Sequence, residues 1–150
     1  MLLRGALARV RVRDVMTPDP VTVASGTTVG VLLDDVVWRH HGSAFPVLDG
    51  SGHVVGLVTL RHLRALPITA RASTMVDTVA APADLIVRAV PDEPLTDLLE
   101  RIAVAPDHTG RALVFEGPRL VGIISPSDIN RAIEIAALRA EPGPGVASPT

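Results

Sequence analysis

Between residues 29 and 37 the apolar side chains fall at Val29, Leu32, Leu33, Val36 and Val37, the i, i+3, i+4, i+7, i+8 spacing of one helix face. Adding 66 to each number gives Leu95, Leu98, Leu99, Ile102 and Ala103, apolar at every position. The same step carries Gly56-Leu57-Val58-Thr59 onto Gly122-Ile123-Ile124-Ser125, and a step of 67 carries Val47 onto Val114. The one-residue change fits a turn at Asp49-Gly50-Ser51-Gly52 that is one residue longer than its counterpart around Glu116-Gly117-Pro118. A looser echo, at a step of 64, relates Asp14-Val15-Met16 to Thr78-Val79-Ala80. The chain is therefore an internal repeat.

Each copy reads as strand, helix, strand, hairpin turn, strand, helix. In the first copy these fall at about 20–24, 28–41, 44–48, 53–58 and 60–66; in the second at about 86–90, 94–104, 111–115, 119–124 and 126–139. Turns of Asp-Gly and Gly-Pro type between β-rich runs predict the hairpins. A three-stranded sheet with two helices, at about 60 residues, is too small to bury both its faces alone. The expected fold is thus α+β, two such repeats packed about a pseudo-twofold axis with two related clefts between them. The domain reading is 1–11 linker, 12–72 first repeat, 73–140 second repeat and 141–150 disordered tail, the last on its Pro and Gly content.

Composition narrows the function. There is no cysteine, which removes disulfides, thiol catalysis and Cys-based zinc sites. A net charge of −2 and 2% aromatic residues give neither a basic field nor a stacking platform for nucleic acid. No apolar run reaches the roughly 18 residues of a membrane span, and the start Met1-Leu2-Leu3-Arg4-Gly5 is too short a run for a signal peptide. Arg4, Arg9, Arg11 and Arg13 make residues 1–13 the one local basic excess, read as a solvated linker. The five His have no common ligand spacing, with His40 and His41 adjacent at a helix end, so no metal site is expected. Asp34-Asp35 fits the wet face of the first helix, and no catalytic motif is found, so no enzyme activity is expected.

The chemistry concentrates in Leu120-Val121-Gly122-Ile123-Ile124-Ser125-Pro126-Ser127-Asp128-Ile129, a buried strand that stops at a hydroxyl and enters a helix carrying a carboxylate. Ser125 suits the N-cap, Pro126 the N1 position and Asp128 the N3 position, at the positive end of the helix dipole. A helix start of this kind suits a sugar-phosphate, since an ionised Asp accepts from both hydroxyls of a ribose. It is equally a capping box that binds nothing. The first copy has Thr59 and His62 in the matching places, and a neutral imidazole cannot receive two hydroxyls.

The order and duplication of these motifs resemble a tandem pair of cystathionine-β-synthase (CBS) domains, a Bateman module, over about residues 12–139. The resemblance rests on Val12-Arg13-Asp14-Val15-Met16-Thr17 with Pro20-Val21-Thr22-Val23, on Ser43-Ala44-Phe45-Pro46-Val47-Leu48-Asp49, on Gly56-Leu57-Val58-Thr59 and on Gly122 to Ile129. It implies a non-catalytic regulatory module that binds AMP, ATP or S-adenosylmethionine between the repeats and modulates an attached or partner enzyme or transporter. The rival reading is a ligand-free structural or dimerisation module with degenerate clefts.

Carried over by motif, Asp128 would hold the ribose, Ser125 and Ser127 would donate to ribose or phosphate, and Arg111 would meet phosphate. The base would enter between the stretch near Thr17 and Val21 and the residues Ser43, Ala44, Phe45 and Pro46. The cleft of Thr59 and His62 would be weak, altered or empty. Trp38 lies off the apolar stripe, and with Ala132, Ile133, Ala136 and Ala137 it suggests a homodimer surface, as in other CBS pairs. The run Arg111-Ala112-Leu113-Val114 with the closing stretch, Ser43 to Val47 and Val58-Thr59-Leu60 also resembles the CBS tail of bacterial site-2-type membrane zinc proteases. That resemblance implies a cytoplasmic location, or the cytosolic part of a membrane protein.

Overall fold

Residues 5–40 and 42–140 are described by the structure, a computed structural model. The expectation of a disordered tail at 141–150, the first four linker residues and His41 lie outside them.

In the first half the chain forms α1 (Val12–Val15), β1 (Thr17–Pro18), β2 (Val23–Ala24), α2 (Val29–Val31, widening into a π-helical stretch Leu32–Val37), β3 (Ala44–Leu48), β4 (Val54–Thr59) and α3 (Leu60–Ala65). After a 3₁₀ turn at Ile68–Ala70 come α4 (Val76–Val79), β5 (Ala81–Pro82), a second 3₁₀ turn at Ala83–Leu85, β6 (Val87–Ala89), α5 (Leu95–Ala103), β7 (Ala112–Glu116), β8 (Arg119–Ile124) and α6 (Pro126–Ala140). Thr28 caps α2 by accepting from the Val31 N–H. Further orphan donors of its first turn, Val29 N–H and Gly30 N–H, reach the carbonyls of Thr74 and Arg71 at 2.8 and 2.9 Å. The helix stops at Val37 rather than 41, and beyond it the N–H groups of Arg39 and His40 share the Val36 carbonyl in a last tightened turn. Similarly α3 ends before Leu66, whose extended backbone is what a following Pro67 imposes.

The hairpins are those the turns predict. Asp49 Oδ1 accepts from the N–H groups of Ser51 and His53 at 2.9 Å, and Gly52 and Gly117 supply the left-handed conformations the two turns need, at φ 84 and 59°. In each half a parallel strand flanks the hairpin, Val23 opposite Val47 and Ala89 opposite Val114.

A fourth strand in each sheet was not anticipated. The sheet orders are β1-β8-β7-β6 and β2-β3-β4-β5, so the opening strand of each repeat joins the sheet of the other. Thr17 and Pro18 lie opposite Ile123 and Gly122, while Ala81 and Pro82 lie opposite Leu57 and Gly56. The duplicated glycines are explained by this exchange. A Cβ on Gly56 would stand 2.9 Å from the Ala81 carbonyl oxygen, and one on Gly122 would stand 2.5 Å from Met16 Sδ.

The exchange also stitches the cores. Val12 is buried with Leu95, Leu98, Val114 and Ile124 of the second half, and Val76 is buried with Val29, Leu32, Phe45 and Val58 of the first. A third cluster, Leu57, Ala81, Ile86, Leu113, Phe115 and Ile123, draws on both sheets. No helix among the described residues is long and apolar enough to cross a membrane.

Candidate ligand cleft at the start of the last helix

The end of β8, Gly122 to Ile124, is buried, and the chain then turns outward at Ser125 to begin α6. Asp128 Oδ2 accepts from both the backbone N–H and the hydroxyl of Ser125, each at 2.9 Å, and the Asp128 N–H points back to Ser125 Oγ at 3.4 Å. Ser127 Oγ lies 3.0 Å from Ser125 Oγ. The other carboxylate oxygen, Oδ1, accepts from Thr17 Oγ1 at 3.1 Å. Thr17 reaches it because β1 is the exchanged strand beside β8.

Beyond this cluster opens a cavity of about 860 Å³ between residues 5–18 and one face of α6. Thr17 and Asp128 line it at one end, and Arg131, Ala132, Ile135, Ala136 and Arg139 continue along the helix, with Arg9, Asp14 and Met16 opposite. The spacing from Asp128 is +3, +4, +7, +8 and +11, one helical face, a periodicity that could have found these residues but was not among the sequence expectations. The wall from the N-terminal segment had no such signal. Ala136 is buried in the second-half core and Ala132 packs against it, which withdraws these two alanines from the suggested dimer surface.

The other sequence candidates lie elsewhere. Phe45 is fully buried in the first-half core, and Val21 packs on the same cluster. Pro46 is buried and Ala44 packs against the cluster between the sheets. Ser43 Oγ accepts from Arg111 Nη2 at 2.7 Å, and Arg111 Nη1 donates to the Thr109 carbonyl at 2.9 Å. Arg111 Nε is buried without a partner, and burial pushes this guanidinium below its usual value. None of Val21, Ser43, Ala44, Phe45, Pro46 and Arg111 lines the cavity beside Asp128.

At the matching junction in the first half, Thr59 is buried and its Oγ1 accepts from the His62 N–H at 3.2 Å, while the Thr59 N–H donates to His62 Nδ1 at 3.1 Å. Desolvation first, then the charges of Arg111 and Arg61, push the His62 imidazole down, against a smaller pull from Asp107. Its one ring acceptor is therefore committed to the helix cap. Among the described residues no group of three or more His, Asp or Glu side chains is placed to hold a metal ion.

The family model of the CBS domain matches two segments, residues 12–69 and 84–135. The chain belongs to the CBS-domain family. It carries the tandem pair, and such a pair is a regulatory module rather than a catalyst. Over 137 residues the chain is 42% identical to the putative zinc metalloprotease Rip3 of Mycobacterium tuberculosis, covering 91% of this chain and 34% of that protein. It is 30% identical over 132 residues to the zinc metalloprotease MJ0392 of Methanocaldococcus jannaschii, covering 88% of this chain and again 34% of the relative. This CBS pair thus spans about a third of these proteases.

Among solved structures, the CBS domain of a bacterial CNNM/CorC Mg²⁺ transporter in complex with ATP superposes with a TM-score of 0.72 at 20% identity, covering 89% of this chain and 95% of that one. The CBS pair of protein MJ0100 in complex with 5′-methylthioadenosine and S-adenosylmethionine gives 0.69 at 20% identity, over 83% and 95%. At these identities the likeness establishes the fold.

Proposed function

We propose that this CBS pair binds an adenosine-type ligand in one cleft, with its ribose on Asp128, and that occupancy regulates a zinc metalloprotease of which it is part or to which it docks. The carrying observation is the state of the Asp128 carboxylate on the wall of the cavity. Oδ2 is filled by Ser125, but among the described residues Oδ1 accepts from Thr17 alone and keeps a lone pair for a hydroxyl. A second ribose hydroxyl is received when the Thr17 hydroxyl rotates away. The family pattern and the adenosine ligands of the two solved CBS structures support the ligand class, AMP, ATP or S-adenosylmethionine. The protease relatives support the regulated partner, and the resemblance of the closing motifs to the CBS tail of site-2-type membrane zinc proteases is the ground for a place on the cytoplasmic side of a membrane. The cleft of Thr59 and His62 is closed to ribose because its acceptor already serves the cap.

Self-association belongs to the same proposal, on narrower ground. Trp38 is 86% exposed, and Val104, 66 positions on, is 82% exposed at the matching end of α5. A specific observation favours the structural alternative: the Ser125–Asp128 and Thr59–His62 boxes are both complete without a ligand. Thermal unfolding with AMP, ADP, ATP and S-adenosylmethionine separates the two. A ligand at 100 times its Kd adds about 2.7 kcal/mol of stability. The adenosine reading expects such a shift for the natural sequence and none for Asp128→Ala; no shift with any member leaves the structural module.

A further inference from the structure

At the first junction the two repeats are tied together by Arg111. Its Nη2 donates to Ser43 Oγ at 2.7 Å, across 68 positions of chain, while Nη1 holds the Thr109 carbonyl of its own loop at 2.9 Å. The Ser43 carbonyl accepts the Leu60 N–H at 2.9 Å, so one residue joins the guanidinium to the first turn of α3. His62 closes that turn. An amide N–H can only donate, so the bond of 3.1 Å from the Thr59 N–H requires a bare Nδ1 and leaves the ring proton on Nε2. This half of the cap therefore exists only while the imidazole is neutral. Burial holds the ring neutral, and so do two charges that face it, Arg111 from the loop before β7 and Arg61 from its own helix, against the pull of Asp107 from the same loop as Arg111. The loop itself carries unspent groups and strain. Asp107 Oδ1 and Arg111 Nε are buried without a partner among the described residues, and His108 holds a left-handed φ of 55° without being glycine.

We propose that His62 and Arg111 form a proton-operated latch between the two repeats, shut while His62 is neutral and released when it is protonated. A proton on Nδ1 sets two donors face to face, so the Thr59 N–H loses its acceptor and the first turn of α3 loosens. The same proton places a third cation beside Arg61 and Arg111, at a half-buried position where water screens like charges less than at the surface. The charged ring has an acceptor at hand in Asp107 Oδ1, which gives the released arrangement a contact that the shut one lacks. Because Ser43 joins α3 to Arg111, the loosening passes to residues 107–111 and so to the tie between the halves. The second junction is capped by the Asp128 carboxylate and holds no imidazole, so this input acts on one side of the pseudo-twofold axis. It is separate from the ligand cleft proposed at Asp128.

Magnetic resonance of the 150-residue chain across mildly acid pH tests this, with the His62 ring titrated and amide hydrogen exchange corrected for its intrinsic pH dependence. As pH falls below the ordinary imidazole value of 6.5, opening of residues 59–63 and 109–112 is expected to rise by up to about tenfold per pH unit, both stretches sharing one midpoint. His62→Asn keeps a side-chain acceptor for the cap but cannot titrate, and should abolish the rise. Arg111→Met removes the neighbouring cation and should move the His62 midpoint upward. Ser43→Ala leaves both charges in place, and should let residues 59–63 respond to acid while 109–112 no longer follow; it carries the test if the Arg111 variant fails to fold. His108→Asn removes the loop's other imidazole, suits the left-handed backbone and should leave the response intact. A response confined to residues 59–63 in the natural chain overturns the latch. So does one that persists in His62→Asn, is lost in His108→Asn or still reaches 109–112 in Ser43→Ala, and so does a His62 midpoint that stays put in Arg111→Met.

Discussion

At Thr59–His62 and at Ser125–Asp128 the chain makes the same junction: a buried strand ends, a hydroxyl accepts from the amide three residues on at 3.2 or 3.4 Å, and that residue's side chain returns a bond to the cap amide at 3.1 or 2.9 Å. Capping is satisfied in both. The difference is what is left over. His62 spends its only ring acceptor on the cap, whereas Asp128 spends one oxygen and turns the other to Thr17 and the cavity. The comparison separates what the fold requires at a helix start from what the proposed ligand would require, and of the two junctions the second leaves a carboxylate oxygen for it.

The exchanged strands and the shared cluster make the two halves one cooperative unit, and core truncation probes this with the largest expected effect. Leu32→Ala and its repeat partner Leu98→Ala, both at fully buried sites, should each cost about 2–5 kcal/mol in urea unfolding followed by circular dichroism. A single transition is expected for both, and loss of one half ahead of the other would break the symmetry argued here. The glycines come next, at about 1–3 kcal/mol. Gly56→Ala should cost more than Gly122→Ala, since a backbone oxygen blocks the first at 2.9 Å and the flexible end of Met16 blocks the second. Met16→Ala should recover much of the Gly122→Ala loss.

The pH response is smaller and sharpens the contrast between the junctions. The folded His62 has a depressed pKa, so the unfolded chain takes up its proton first as pH falls below the ordinary value near 6.5. Stability is therefore expected to decline from about pH 6.5 until the folded imidazole also protonates, a limb distinct from the one that sets in at about pH 4.5 for the depressed Glu93 and lower for the depressed Asp49 and Asp77. His62→Asp should flatten the upper limb in a thermal scan across pH while keeping the cap. Smallest in stability is Trp38→Ala, expected within about 0.5 kcal/mol at so exposed a site, yet lowering self-association in sedimentation.

Much of the fold was legible because the repeat doubled every weak signal. The helix stripe at Val29 and Leu95, the hairpin turns and the Thr/Ser-capped junctions all carry local periodicity or local turn chemistry. What the sequence hid is non-local. The strands β1 and β5 are two residues each, too short for any alternation, and their partners are settled by glycines in the other repeat, pairing Pro18 with Gly122, while Pro82 joins Gly56. The same holds for the site. Ser125 and Asp128 were marked by the helix start, but Arg9 belongs to a segment without pattern and comes to the cavity only because Leu7 is buried in the second-half core.

The most direct test of the central claim exchanges the third residue of the two junctions and counts bound ligand by calorimetry with AMP and ATP. The natural chain is expected to bind one equivalent, Asp128→His none, and His62→Asp one at the original affinity, with a second equivalent where the new carboxylate gains a hydroxyl partner. Two equivalents in the natural chain, or one retained in Asp128→His, would contradict the assignment of the ligand to Asp128.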